Sequence, residues 1–376
     1  MQYQIITEQS QLDQYLELIS KKPILAIDTE FMRRRTLYPE IALIQVFDGE
    51  HLALIDPCCE LDLSQFWQLM TEQSILKVFH SPSEDVEVCI KHGQCVPSPM
   101  FDTQFALSLL GEPNCVGFAS MVEKLLSLEI DKSESRTNWL QRPLTPKQLE
   151  YAAGDVFYLM PCFELIYQQI LARDLLDVVL GESELLVCKR AYQTPDQILY
   201  QDIKNAWQLA PSELAILREL AMWRREKART KNLALGFILK EHTMFEIAKR
   251  NPQSLTQLRN VPDIEAMEVN KSGKEIIACV SRGSAVPAAD YPEKIKRLID
   301  FPQYKRFAKL IKHKLAKVAD SSNIPLDVIA SKKQINQFLS WHWKLSEADK
   351  QTALMPDLMT GWRKQILGDC LADWDK

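Results

Sequence analysis

At 376 residues, with 46% apolar and 25% charged side chains, the chain is too long for one typical domain and has an ordinary globular composition. Nine cysteines without CxxC or Cys/His spacing exclude a zinc-ribbon reading and lead us to expect reduced thiols and a cytoplasmic setting. Met1-Gln2-Tyr3-Gln4 lacks signal-peptide character and no apolar run reaches bilayer length, so no membrane role is expected; the net charge of −5 leaves nucleic-acid binding to local charge.

Apolar runs at residues 23–27 and 41–47 predict two strands, and the turn Asp48-Gly49 returns the chain as a third at 51–55, an antiparallel hairpin. Helical spacing follows at 63–70, then a strand at 75–79, then a helix running to Gly93 with Ser83 as its N-cap. From 103 to about 180 the pattern is nearly all helical. Within it, Thr145-Pro146-Lys147-Gln148 combines a capping threonine, proline at the first helical position and glutamine three residues after the cap.

A polar stretch over 192–201 marks a boundary, beyond which no strand is legible. An amphipathic helix over 213–228 and short helices separated by Asn251-Pro252 and Val261-Pro262 follow, and an Ala/Pro-rich linker occupies 284–292. The fold class is therefore α/β, a mixed sheet with packed helices, followed by two all-α units. We place the domains at 1–190, 210–286 and 293–376, with a linker at 191–209.

Phosphodiester chemistry is suggested by the acids. Asp28 and Glu30 lie two apart at a strand end, so both side chains take one face and can share a cation. Tyr151 and Asp155 stand at i and i+4 on the helix begun at Thr145, with small Ala152, Ala153 and Gly154 between them. Asp85 falls in a first helical turn, where the helix dipole alone would favour it. Asp102, Glu84 and Glu87 are rivals for its role, and Asp102 reads as a structural acid. Carboxylate oxygens suit Mg²⁺ or Mn²⁺.

In order and spacing these pieces resemble the tyrosine-bearing branch of the DEDD 3′→5′ exonucleases, and within it the ribonuclease D family. Asp28-Thr29-Glu30-Phe31, Tyr38-Pro39 with Leu43-Ile44-Gln45, Phe101-Asp102-Thr103 and the stretch from Trp139 to Asp155 carry the resemblance over roughly residues 1–190. It implies a ribonuclease H-like fold with Asp28, Glu30, Asp85, Tyr151 and Asp155 as catalytic residues. The four acids would hold two divalent ions, and Tyr151 would orient the attacking water rather than act as a base, since an ordinary phenol titrates near pH 10. No histidine occupies the third motif, and His80 reads as a polar strand-end residue.

The resemblance further implies removal of 3′-terminal nucleotides from precursor tRNA and other small structured RNAs, releasing 5′-nucleoside monophosphates. A DNA exonuclease would use the same carboxylates, and an RNA-binding scaffold on an inactive nuclease fold is the non-enzymatic alternative. No obligate protein partner is evident. Candidate RNA contacts are Arg33 and Arg35 after the acidic strand, Gln45, and Arg136, Trp139 and Arg142 before the Tyr151 helix. Lys305, Arg306, Lys309 and Lys312 form a further basic face on an amphipathic helix. The two C-terminal units resemble HRDC domains, the helical domain shared by RecQ helicases and ribonuclease D. The first departs from that pattern at Val261-Pro262-Asp263-Ile264, which lacks a Gly-x-Gly turn.

Overall fold

Short apolar runs bounded by turn residues become a six-stranded mixed sheet in the computed structural model, which describes residues 1–375. The elements of the first part are β1 (Gln4–Ile6), α1 (Gln9–Ile19), β2 (Ile24–Met32), β3 (Glu40–Phe47), β4 (Leu52–Ile55), α2 (Ser64–Thr71), β5 (Leu76–Phe79), α3 (Ser83–Val88) and β6 (Met100–Asp102). They are followed by α4 (Thr103–Leu109), α5 (Phe118–Leu126), α6 (Pro146–Ala172) and α7 (Leu176–Ala191). Strand order is β1-β4-β3-β2-β5-β6. The expected hairpin is present, with β3 antiparallel to both β2 and β4, whereas β5 joins β2 in parallel and β6 joins β5 in parallel.

Sequence reasoning missed β1 and β6. Each has three residues, too few for alternation to register. Near Gly93 the α-helix ends at Val88 and a single π turn, Cys89–Gly93, continues it. One sheet face buries Leu25, Ile27, Ile44, Val46, Ala53 and Ile55 in a cluster with α1 and α2. The other face meets α6, as the Phe47 and Phe157 rings 5.8 Å apart show.

Two compact units emerge: Met1–Met32 and Pro39–Tyr192 with the chain from Lys305 onward, and Arg33–Tyr38 with Gln193–Tyr304. The second is built on α8 (Pro211–Lys231), α9 (Leu235–Ile238), α10 (Glu241–Arg250), α11 (Leu255–Arg259) and α12 (Ala266–Ser284). Within the stretch expected as a linker, 191–209, four residues contribute to this unit's core: Tyr200, Ile203, Ala206 and Leu209 are buried there. At the glycine-free turn Asp263 itself takes the left-handed conformation, φ +59°, which a short polar side chain tolerates. The loop after β2 also belongs here. The Arg35 carbonyl accepts from Ala234 N at 2.7 Å, and the Tyr38 amide donates to Asn232 Oδ1 at 3.2 Å.

The remaining helices are α13 (Tyr304–Ser322), α14 (Leu326–Ile329), α15 (Lys332–Lys344), α16 (Glu347–Lys350) and α17 (Gly361–Leu367). In the first unit, α17 packs on α7, where Trp362 Nε1 and Arg363 Nη1 both donate to Glu182. Lys189 adds an ion pair to Asp357 at 2.6 Å.

Candidate active site

The site forms where β2 ends beneath α6. Between Glu30 and Phe31 the β2–β3 register slips by one residue, leaving Ala42 as the extra residue on β3. Such bulges bend a strand and re-aim side chains. The Ala42 carbonyl accepts from Arg142 Nη2 at 2.6 Å. On the opposing helix, Thr145 caps α6 and forms the reciprocal box with Gln148, which fixes where Tyr151 and Asp155 fall. Gly154 is not required for close approach, since an added Cβ would meet only the Tyr158 ring, at 3.5 Å.

Asp28, Glu30 and Asp155 each offer a carboxylate oxygen, and the three oxygens lie within 4.8 Å of one another. Asp85 is buried beside them and accepts from Thr29 Oγ1 at 2.6 Å. Together with Tyr151, these four acids line a cavity of about 400 Å³ whose wall also includes His80, Ser81, Glu84, Phe118 and Ser135. Thr29 was missed as a functional side chain; its place between two acids gave no sign that it would hold a third.

Burial and mutual repulsion dominate the electrostatics. The Asp28 carboxyl is pushed far above the usual range by burial and then by Asp85, Asp155 and Glu30. Burial with Asp155 and Asp85 raises Glu30 to about 9, and burial raises Asp155 to about 8. Asp85 reaches about 6 because the Thr29 hydrogen bond opposes its burial. Tyr151 is pushed up by burial and by Asp155, Glu30 and Asp28, so its phenol keeps its proton. Hard oxygen donors that repel one another and have acids as their leading charged neighbours fit a divalent cation.

His80 sits between Thr103 Oγ1 and the Val116 carbonyl, at 2.9 and 3.0 Å, and burial lowers it to about 4. It is neutral at pH 7 and held as a strand-end group. Asp102 accepts from the amides of Ser81 and Gln104, both at 2.9 Å, thereby capping α4 and fixing the left-handed Ser81 at φ +60°. Glu87 pairs with Arg190 at 3.8 Å.

Of three proposed RNA contacts, two are buried and the third, half-buried Arg142, is engaged within the protein. Arg142 grips Asp56 through Nε and Nη2 at 2.6 and 2.7 Å, so its charge is already matched. Trp139 is 1% exposed and packs 6.0 Å from the Tyr151 ring, which removes it as a stacking platform. Gln45 is fully buried on β3. Arg136 is exposed next to the cavity residue Ser135. Arg33 and Arg35 are exposed on the Arg33–Tyr38 loop, where the Arg35 guanidinium lies 5.0 Å from the centre of the Phe237 ring. Lys305, Arg306, Lys309 and Lys312 are exposed on α13, whose opposite face buries Ile311 and Leu315.

A mixed sheet with acids converging at the end of a central strand and on the helix above it defines a metal-dependent nuclease of the 3′→5′ exonuclease class, and the 3'-5' exonuclease family matches residues 3–171. The HRDC domain family matches 213–280 and the ribonuclease D C-terminal HRDC domain family matches 302–371. Curated ribonuclease D proteins from Serratia proteamaculans and Escherichia coli are 38% and 39% identical, each covering 99% of this chain, with 99% and 98% of their own lengths matched. The crystal structure of Escherichia coli RNase D, described as an exoribonuclease involved in structured RNA processing, aligns with a TM-score of 0.93 at 39% identity, over 100% of this chain and 98% of that one. The chain belongs to the ribonuclease D family and is a 3′→5′ exoribonuclease. Among the described residues no helix is long and apolar enough to cross a membrane.

Proposed function

We propose that Asp28, Glu30, Asp85 and Asp155 hold two divalent cations, Mg²⁺ or Mn²⁺, and that the enzyme trims 3′ extensions from precursor tRNA and other small structured RNAs, releasing 5′-nucleoside monophosphates. The observation that carries this reading is the convergence of three carboxylates within 4.8 Å, with other acids as the leading charged neighbours of Asp28 and Glu30. Bound cations would supply Lewis acidity, easing deprotonation of the attacking water and offsetting charge on the leaving 3′ oxygen.

The chain's own groups do the rest. Asp28, Glu30 and Asp155 fix the ligand geometry from two rigid elements, and Thr29 holds Asp85 in orientation by donating to it. Tyr151, protonated across the working pH range, donates or accepts a hydrogen bond to the water and aligns it with the terminal phosphorus. The exposed cations Lys305, Arg306, Lys309 and Lys312 on α13 suit backbone phosphates, and Arg136, exposed next to the cavity residue Ser135, would meet the 3′ end. The structured-RNA role of the Escherichia coli relative supports the same substrate class.

The test compares the parent with Asp28→Asn and Asp155→Asn on 5′-labelled RNA carrying a free or blocked 3′ end, in Mg²⁺, Mn²⁺ or EDTA. Each substitution is expected to lower the rate by about a thousandfold, equivalent to several kcal/mol of transition-state stabilisation. Their thermal midpoints should match or exceed the parent's, because each removes a buried carboxyl whose ionisation the fold opposes. Substantial turnover by either variant removes that residue from the ion site. Tyr151→Phe should slow hydrolysis on the order of a hundredfold with little change in RNA affinity; an unchanged rate makes the tyrosine structural.

A further inference from the structure

Gln45 presents an amide that the fold does not use. It is 0% exposed, and neither Nε2 nor Oε1 has a hydrogen-bond partner in the protein. A buried amide left unpaired destabilises a fold, and an apolar side chain of similar shape would carry no such cost. Its surroundings are otherwise apolar: across β4 it faces Leu54, and Leu43 and Phe47 flank it on the same strand face.

The register explains what the amide is near. Gln45 is the direct partner of Asp28 across β3 and β2. Residues opposite one another in an antiparallel pair share a face, with Cβ atoms about 4.5–5.5 Å apart. That face is the one covered by α6, because Phe47, two residues on, meets Phe157 of that helix. The unpaired amide therefore belongs to the same α6-covered sheet face as the Asp28 carboxylate, at a fully buried position directly across the strand pair.

We propose that Gln45 is a positioning residue for Asp28: Nε2 donates to one buried water, which in turn donates to the Asp28 carboxylate and sets its orientation toward the cation. Such a water needs two to four polar partners, and Gln45 with Asp28 provides them. The inference rests on the ion-site reading of Asp28. Outer-shell partners of this kind typically change metal affinity or activity by about 10–100-fold when removed.

Gln45→Met and Gln45→Leu test it on the full chain. Both are expected to fold with a thermal midpoint near the parent's, since each places an apolar side chain of similar size among Leu43, Phe47 and Leu54. Both should also weaken Mn²⁺ binding to the RNA-free protein, followed by electron paramagnetic resonance, by about tenfold or more. The Mn²⁺ concentration for half-maximal cleavage should rise in step, while KM for RNA stays near the parent's and excess Mn²⁺ restores much of the rate. Parental Mn²⁺ affinity in either folded variant overturns the proposal and makes Gln45 a packing residue. Asp155→Asn run in parallel separates the two readings. If that variant also keeps parental Mn²⁺ affinity, the ion site fails; if it loses binding while Gln45→Met does not, only the role of Gln45 fails.

Discussion

The two helical domains use one device for different ends. In the first, Arg224 is 5% exposed, donates to the Leu239 carbonyl at the end of α9, and has its acid, Glu241, inside the same domain at 3.7 Å. In the second, Arg363 is 2% exposed and donates to the Val328 and Ile329 carbonyls at the end of α14, but its acid is Glu182 on α7 of the exonuclease domain. A buried arginine that closes a one-turn helix thus serves cohesion within one domain and docking in the other. The compact units divide accordingly, with the chain from Lys305 onward grouped with the exonuclease domain. Domains that match related families therefore need not be interchangeable parts.

Breaking the docking arginine should have the largest effect. Arg363→Ala leaves two carbonyls and Glu182 without their cation, and urea unfolding of the full chain should show a loss of about 3–5 kcal/mol in the transition that includes the exonuclease domain. If only the C-terminal helices were affected, the docking account would be wrong.

A second substitution probes the self-contained domain. A Cβ at Gly283 on α12 would lie 2.5 Å from Ile216 Cα and 2.8 Å from Ile216 N, backbone atoms of α8 that cannot swing aside. Gly283→Ala should therefore cost about 1–3 kcal/mol, read as a lower urea midpoint for this domain alone. An unchanged midpoint would show that the α8–α12 approach is looser than described.

Glu241→Ala sharpens the contrast at the small end. Its side chain is 48% exposed, so its loss should cost less than about 1 kcal/mol in the same denaturation experiment. A loss matching that of Arg363→Ala would erase the distinction between internal and docking arginines.

What could be read from the sequence follows from the range of the physics involved. The β2–β4 meander and the Thr145 cap were legible because alternation, the Asp48-Gly49 turn and a capping box are local signals. The acids were legible as pairs at fixed spacing. Their convergence with Asp85 required the crossover that places β5 beside β2, and only resemblance to a family anticipated it. Arg142 and Trp139 misled because an arginine and a tryptophan in a loop look the same whether they face solvent or Asp56 and Tyr151. The bulge at Ala42 and the docking of Trp362 and Arg363 on Glu182 depend on pairings more than a hundred or so residues apart or on a one-residue slip, which no window of sequence encodes.

The central claim is tested most directly by crystals of the RNA-free protein soaked in Mn²⁺ and measured at the manganese absorption edge. The expected result is anomalous density bonded at roughly 2.1–2.2 Å to oxygens of Asp28, Glu30 and Asp155, with a second peak about 3.5–4 Å away toward Asp85. Well-ordered carboxylates with no anomalous density between them at saturating Mn²⁺ would contradict it.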